Sequence, residues 1–316
     1  MITVYMLEEG HLRPVVVTRR EDLPEDAFWV DLLSPTAEER RWVEERYGQA
    51  LPSEAAVEEI EFSSRFFTDQ DNGLHIRSFF LYEYPERPRN ITVAFILNRG
   101  RLFTLRSEKL ETFHIFKQQA LKRRQRFEQP LDVLLRLFEI KVDQIADVLE
   151  GLHKRIEAIG TRLFEVEEEI LETILRDLST AQDINDQLRL GMMDKQRVLS
   201  FLLRSGHCPP ERTELLNEIL RDIESLAGHS MFLFEKADAL MNATMGRINI
   251  EQNKIIKIFS IAAVVLLPPT LVASIYGMNF RHMPELDWPF GYPMAVLVMI
   301  LSAIAPYVLF KKKGWL

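Results

Sequence analysis

The chain has 316 residues, 47% of them hydrophobic, a formal net charge of -8 and one cysteine, Cys208. A single cysteine excludes an internal disulfide framework, and the acidic balance argues against nucleic-acid binding, which needs a basic face for phosphate. The mean hydropathy of -0.08 hides an uneven chain: charged residues are dense up to Lys257, then vanish from 258–276 and again from 290–310.

Short β-branched and aromatic runs at 2–7, 14–18, 28–33, 74–82, 91–97 and 102–106 predict strands, and the polar stretch 36–47 predicts a helix between them. Residues 1–127 therefore read as a mixed α/β domain. Ser34 followed by Pro35 suits the cap and first turn of the helix after the third strand. The N-terminus lacks a basic start followed by an apolar block, so the first 250 residues are expected to stay in the cytoplasm.

Beyond Pro130 only helical periodicity is present. Residues 128–210 form a helical hairpin region, with SGHCPP at 205–210 as the clear break and Gly160, Gly191 and Gly228 absorbed inside helices. From about Glu211 one helix is expected to run to Tyr276, roughly 100 Å at the standard rise. Its first part, 211–257, is a stalk. Segments 258–276 and 290–310 are each long enough to cross a hydrocarbon core of about 30 Å, with 277–289 as the loop between them and 311–316 as a basic tail. Arg247, Lys254 and Lys257 before the first span, and Lys311, Lys312 and Lys313 after the second, put both termini on the cytoplasmic side. The loop residues Arg281, His282, Glu285 and Asp287 show no basic excess, as expected outside. Trp288, Tyr292 and Tyr307 fall near the ends of the second span, where interfacial anchors belong.

Stepping by alternating threes and fours from Gly246 gives Asn249, Asn253, Ile256, Ser260, Ala263, Leu267, Thr270, Ser274 and Gly277, an unbroken 3.5-residue repeat of mostly small or polar residues. Such a stripe serves either close packing against a partner helix or the wall of a water-filled path. Four features favour the path. Asn249 and Asn253 bring amides to the cytoplasmic entrance, Ile256 and Leu267 form apolar constrictions, and Thr270 adds an oxygen beyond them. Pro268 and Pro269 free the carbonyls of Val264 and Val265, which a membrane helix tolerates only beside a partner, water or ion. One chain supplies one such helix, so a pore needs a closed ring of identical subunits. The second span has no matching stripe and is expected to face lipid. At the outer mouth, Gly277 allows a tight turn and Asn279 from each subunit presents a ring of neutral amides. That suits Mg²⁺, which sheds water reluctantly and is best met with its hydration shell intact. Glu285 and Asp287 nearby would raise the local cation concentration.

Tyr276-Gly277-Met278-Asn279-Phe280, then Met283-Pro284-Glu285-Leu286, placed between two C-terminal spans and followed by a lysine cluster with Trp315-Leu316, resembles the CorA family of magnesium transport proteins. The likeness extends to RLFTLR, INIEQN and LPPTLVAS. It implies a funnel-shaped homopentamer in the cell's inner membrane that admits Mg²⁺, and also Co²⁺ and Ni²⁺, down the membrane potential and closes when cytoplasmic Mg²⁺ is high. In that family the residue matching Asn279 takes the hydrated ion first, and the inner oxygens and constrictions map onto Thr270, Leu267, Ile256 and Asn253. The likeness also implies acidic regulatory metal sites, for which Asp222, with Glu218 one turn before it, is the best match. Mg²⁺ is then both cargo and regulator, with no further cofactor. A Zn²⁺ transporter of similar fold is the alternative, but such relatives depart from the methionine of the signature, and Met278 is retained.

Other classes find no support. Gly-rich phosphate loops, His-Glu zinc motifs and nucleophile elbows are missing, which speaks against an enzyme. His207 beside Cys208 reads as surface loop, KRRQR at 122–126 as a charged helix end, and the acidic run Glu165, Glu167, Glu168, Glu169 and Glu172 as a solvated helix face, with a Mg²⁺-sensing surface as the rival reading.

Overall fold

The computed structural model describes residues 1–53, 65–82, 89–121, 126–165, 170–279 and 281–314. Lys122 to Gln125 of the basic cluster, Glu167 to Glu169 of the acidic run, and Phe280, Trp315 and Leu316 of the family signature lie outside them. The chain divides into two compact units, one of Met1–Val166 with Glu172–Met241, the other of Glu167–Leu171 with Asn242–Leu316.

The first unit is built on a seven-stranded mixed sheet. Its strands are β1 (Ile2–Glu8), β2 (His11–Val17), β3 (Trp29–Leu33), β4 (Phe66–Thr68), β5 (Leu74–Tyr82), β6 (Arg89–Asn98) and β7 (Arg101–Arg106), in the spatial order β2-β1-β3-β7-β6-β5-β4. Neighbours pair antiparallel except β3 and β7, which run parallel with Asp31 beside Thr104. Two hairpins turn on residue pairs with positive φ, Glu9–Gly10 and Arg99–Gly100, the geometry that matches strand twist in two-residue loops.

Strand alternation sorts the core into two layers. On one face, Ile2, Val4, Val30, Leu32, Ala94, Ile96, Phe103 and Leu105 pack with Val43 and Tyr47 of helix α1 (Ala37–Tyr47). On the other, Trp29 stacks on Tyr5 and meets Phe113 and Phe116 of α2 (Glu111–Leu121), while Phe80 and Phe95 contact Phe138 of α3 (Pro130–Glu165). Helix α4 (Leu171–Arg204) reaches the same face through polar tips. Asp194 accepts hydrogen bonds from the Ser78 hydroxyl (2.6 Å) and the Phe79 N–H (2.8 Å), and Lys195 donates to the Phe79 carbonyl. Lys141 of α3 donates to the Leu81 carbonyl at 3.1 Å. Burial pushes the Lys195 ammonium down to about 7, against the pull of Asp194 and with help from Lys141 and Arg65.

Two expectations about local structure need correcting. The cap of α1 is not Ser34 with Pro35 but Thr36, whose hydroxyl accepts from the Glu39 N–H (3.1 Å) while the Glu39 carboxylate accepts from the Thr36 N–H (2.8 Å), a reciprocal capping box. Ser34 instead occupies a left-handed turn, φ 41°, where its N–H donates to the Arg106 carbonyl and its hydroxyl to that of Ser107. Strand β2 starts three residues earlier than its β-branched run, because pairing with β1 carries it back to His11.

The helical break at 205–210 is present, with Gly206 at φ 74°. After it, α5 (Pro210–Tyr276) is continuous for 67 residues, and Pro268 and Pro269 sit inside it. The second apolar helix, α6, spans Gly291–Lys312. Among the described residues these two helices are long and apolar enough to cross a membrane.

Candidate ion pathway

The 3.5-residue repeat lies wholly on α5, so Asn253 and Gly277, 24 residues apart, are separated by about 36 Å along the axis, close to a hydrocarbon thickness. Every member of the stripe from Gly246 to Gly277 is exposed. Ile256 and Leu267, the expected constrictions, are 62% and 65% exposed, and their neighbours Phe259 and Leu266 are equally open at 71% and 63%. Burial in one chain therefore does not single out the stripe; its chemistry does.

Thr270 keeps its hydroxyl hydrogen occupied, donating to the Leu266 carbonyl at 2.8 Å. This back-bond leaves the oxygen lone pairs of Thr270 available along the helix surface. Ser260 borders a cavity of about 330 Å³ with Lys257, Ile261, Val264, Phe310 and Gly314, so α6 covers one flank of the stripe at that level.

At the end of α5 the motif residues come together. Gly277 donates its N–H to Ala273 (3.0 Å) and Met278 to Ile275 (3.2 Å), which tightens the last turn before Asn279. Gly277 is not in the left-handed region, so the turn expected there is made by shortening the hydrogen-bond ladder. Asn279 and Met278 are both exposed. The glycine that geometry does require is Gly291. A Cβ there would stand 2.1 Å from the Glu285 carbonyl oxygen, so the 3-10 turn Pro284–Leu286 is seated directly on the first residue of α6. Sequence reasoning passed over this contact, which no local pattern announces.

Asp222 and Glu218 are both exposed on α5, in the first compact unit. Asp222 acts electrostatically on Asp143 of α3, whose carboxyl is raised first by partial burial and then by Glu139, Asp147 and Asp222, with Arg136 opposing. Glu139, Asp143 and Asp147 recur every four residues on one helix face, a spacing visible in the sequence but not singled out there. Among the described residues no group of three or more His, Cys, Asp or Glu is arranged to hold a metal ion.

A 67-residue helix with an apolar end long enough to cross a membrane, followed in the chain by a second such helix, is the pattern of a two-span membrane protein. The family model described as CorA-like Mg2+ transporter protein matches residues 24–312, and the chain belongs to that family. It is 46% identical to the magnesium transport protein CorA of Salmonella typhimurium and 45% identical to that of Escherichia coli K12, each over 318 residues and 100% of both chains. Its fold is similar to that of the complete CorA magnesium transporter from Methanocaldococcus jannaschii, with a TM-score of 0.78 at 18% identity over 100% of this chain and 99% of the other.

Proposed function

We propose that this protein is one subunit of a funnel-shaped homopentameric channel that admits Mg²⁺ passively to the cytoplasm, with Co²⁺ and Ni²⁺ as further cargo. The observation that carries this reading is the unbroken small and polar stripe of α5 ending at the Gly277-Met278-Asn279 turn. The names of the 46% and 45% identical relatives support Mg²⁺ as the cargo.

In this reading both termini are cytoplasmic and the membrane is the cell's inner membrane. Residues 1–127, 128–210 and 211–257 form the cytoplasmic α/β domain, hairpin region and stalk. The pore runs through 258–276, the outer loop is 277–289, the second span is 290–310 and the basic tail is 311–316. Asn279 greets the hydrated ion with a neutral amide, strong enough to hold the water shell and weak enough to release it. Gly277 and Met278 shape that mouth, Thr270 and Asn253 offer inner oxygens, and Leu267 and Ile256 close the path by dewetting. Cytoplasmic Mg²⁺ near Asp222 and Glu218 favours the closed ring through its higher affinity for that state.

Flux of Mg²⁺ into liposomes containing the purified protein tests the reading. Asn279→Ala should abolish it. Equal flux in the variant, or flux of Zn²⁺ that outcompetes Mg²⁺, overturns it in favour of a different mouth or the zinc alternative.

A further inference from the structure

Two histidines that are not part of the proposed pathway meet between α3 and α5 in the first unit. His153 Nδ1 stands 3.2 Å from His229 Nε2, and the ring planes are inclined at 76°. Phe232 flanks both, its centroid 6.2 Å from His153 and 6.4 Å from His229. Both histidines are partly exposed, so an ion in water can reach them.

A zinc ion with imidazole nitrogens at about 2.0–2.1 Å in tetrahedral geometry holds them roughly 3.3 Å apart. The observed 3.2 Å is within a few tenths of an ångström of that separation. In the metal-free pair one ring N–H donates to the lone pair of the other ring; on metal binding that proton moves to the donor ring's other nitrogen, and a rotation of each ring by roughly 35° turns both lone pairs toward a common point beside the line.

We propose that His153 and His229 form a two-imidazole site for a borderline divalent cation of the Zn²⁺, Ni²⁺ or Co²⁺ kind, which clasps α3 to α5. No third His, Cys, Asp or Glu among the described residues completes the set, so water fills the remaining positions. Imidazole suits these ions, whereas Mg²⁺ wants oxygen ligands and keeps its waters. The pair therefore answers to borderline ions in a cytoplasm rich in Mg²⁺. The site stands on its own geometry and does not require the transport reading.

The test uses the full, tag-free chain in detergent, stripped of metal and equilibrated with Ni²⁺ under a large excess of Mg²⁺, which saturates carboxylate sites. Bound nickel and the thermal unfolding midpoint are measured for the wild type, His153→Gln and His229→Gln. Wild type should retain about one Ni²⁺ per chain and melt higher with nickel than without. Each variant should lose both effects while melting normally in the absence of nickel. Nickel binding equal in all three proteins, or none in the wild type, overturns the site. As a check independent of variant folding, Cu²⁺ bound to the wild type should show two equivalent imidazole nitrogens by electron paramagnetic resonance; a purely oxygen-ligated signal overturns it as well.

Discussion

Asp31 and Arg106 close a buried ion pair across the parallel pairing of β3 and β7, at 2.9 Å between Oδ2 and Nη2, with the side chains 1% and 4% exposed. Arg106 Nε adds a second bond to Oδ1 at 3.2 Å, and Lys117 of α2 a third contact at 2.9 Å. Burial alone would raise the Asp31 carboxyl, but the charges and hydrogen bonds of Arg106 and Lys117 outweigh it and hold the group below the usual carboxylate range.

Arg106→Met removes the bidentate partner and leaves a buried carboxylate held by Lys117 and the Thr104 hydroxyl. Breaking such a pair costs about 3–5 kcal/mol, to be read as a lower urea midpoint. The sign with pH follows from the depressed folded value: the wild type keeps this stability above the ordinary carboxylate range and loses it as pH falls through the folded value. The variant should show a shallower loss in acid.

Lys195 also contributes stability that rises with pH, but because burial disfavours its charged form rather than because partners favour it. The unfolded chain holds this proton up to about pH 10.4, the folded chain only to about 7, so stability should climb with pH between those limits by about 1.4 kcal/mol per unit at most. Lys195→Met should flatten that slope in denaturation curves collected from pH 7 to 10. An unchanged slope would mean that the Lys195 ammonium is no more expensive inside than in water.

Gly291→Ala should dislodge the loop. With only 2.1 Å between the new Cβ and the Glu285 carbonyl oxygen, the turn at Pro284–Leu286 must move off α6. Flux is expected to fall at least tenfold, while the first unit melts as before; wild-type flux would show that the loop's seat is irrelevant to the mouth.

Asp143 carries a raised carboxyl, so its proton stabilises the fold at low pH and that contribution disappears as pH rises through the folded value. A divalent cation that neutralises the surrounding charges should restore stability at neutral pH. Melting of the wild type should therefore rise with Mg²⁺, and less so in Asp143→Asn. Asp222→Lys and Glu218→Lys should each shift the Mg²⁺ concentration at which conductance closes. If neither does, the regulatory assignment fails and the pore assignment survives.

Much of the fold was legible because period-2 and period-3.6 patterns are local. The runs at 74–82 and 102–106 are strands within a residue of their expected ends, and the break at 205–210 falls where Gly206 and the prolines place it. Three-residue β4 was missed because Phe66–Thr68 is too short to alternate, and it is held by its register against Leu74–Ile76. Capping by Thr36 was misread because Ser-Pro is a common start signal, and only the contact of Ser34 with Ser107 shows that this serine is engaged elsewhere. The stripe of α5 was readable from spacing alone, since one helix carries it. The coupling of Asp143 to Asp222 and the meeting of His153 with His229 were not, because each joins residues more than 70 positions apart.

The parallel step between β3 and β7 also sets a timetable for synthesis. As the chain leaves the ribosome, β1 and β2 can zip at once, but β3 has to wait some seventy residues for β7. Until then Trp29 and Asp31 have an open side, and loop closure over that distance slows the step further. The nascent sheet is thus most vulnerable to wrong pairing well before the first membrane-bound residue is made, and holdase chaperones would find their best target there.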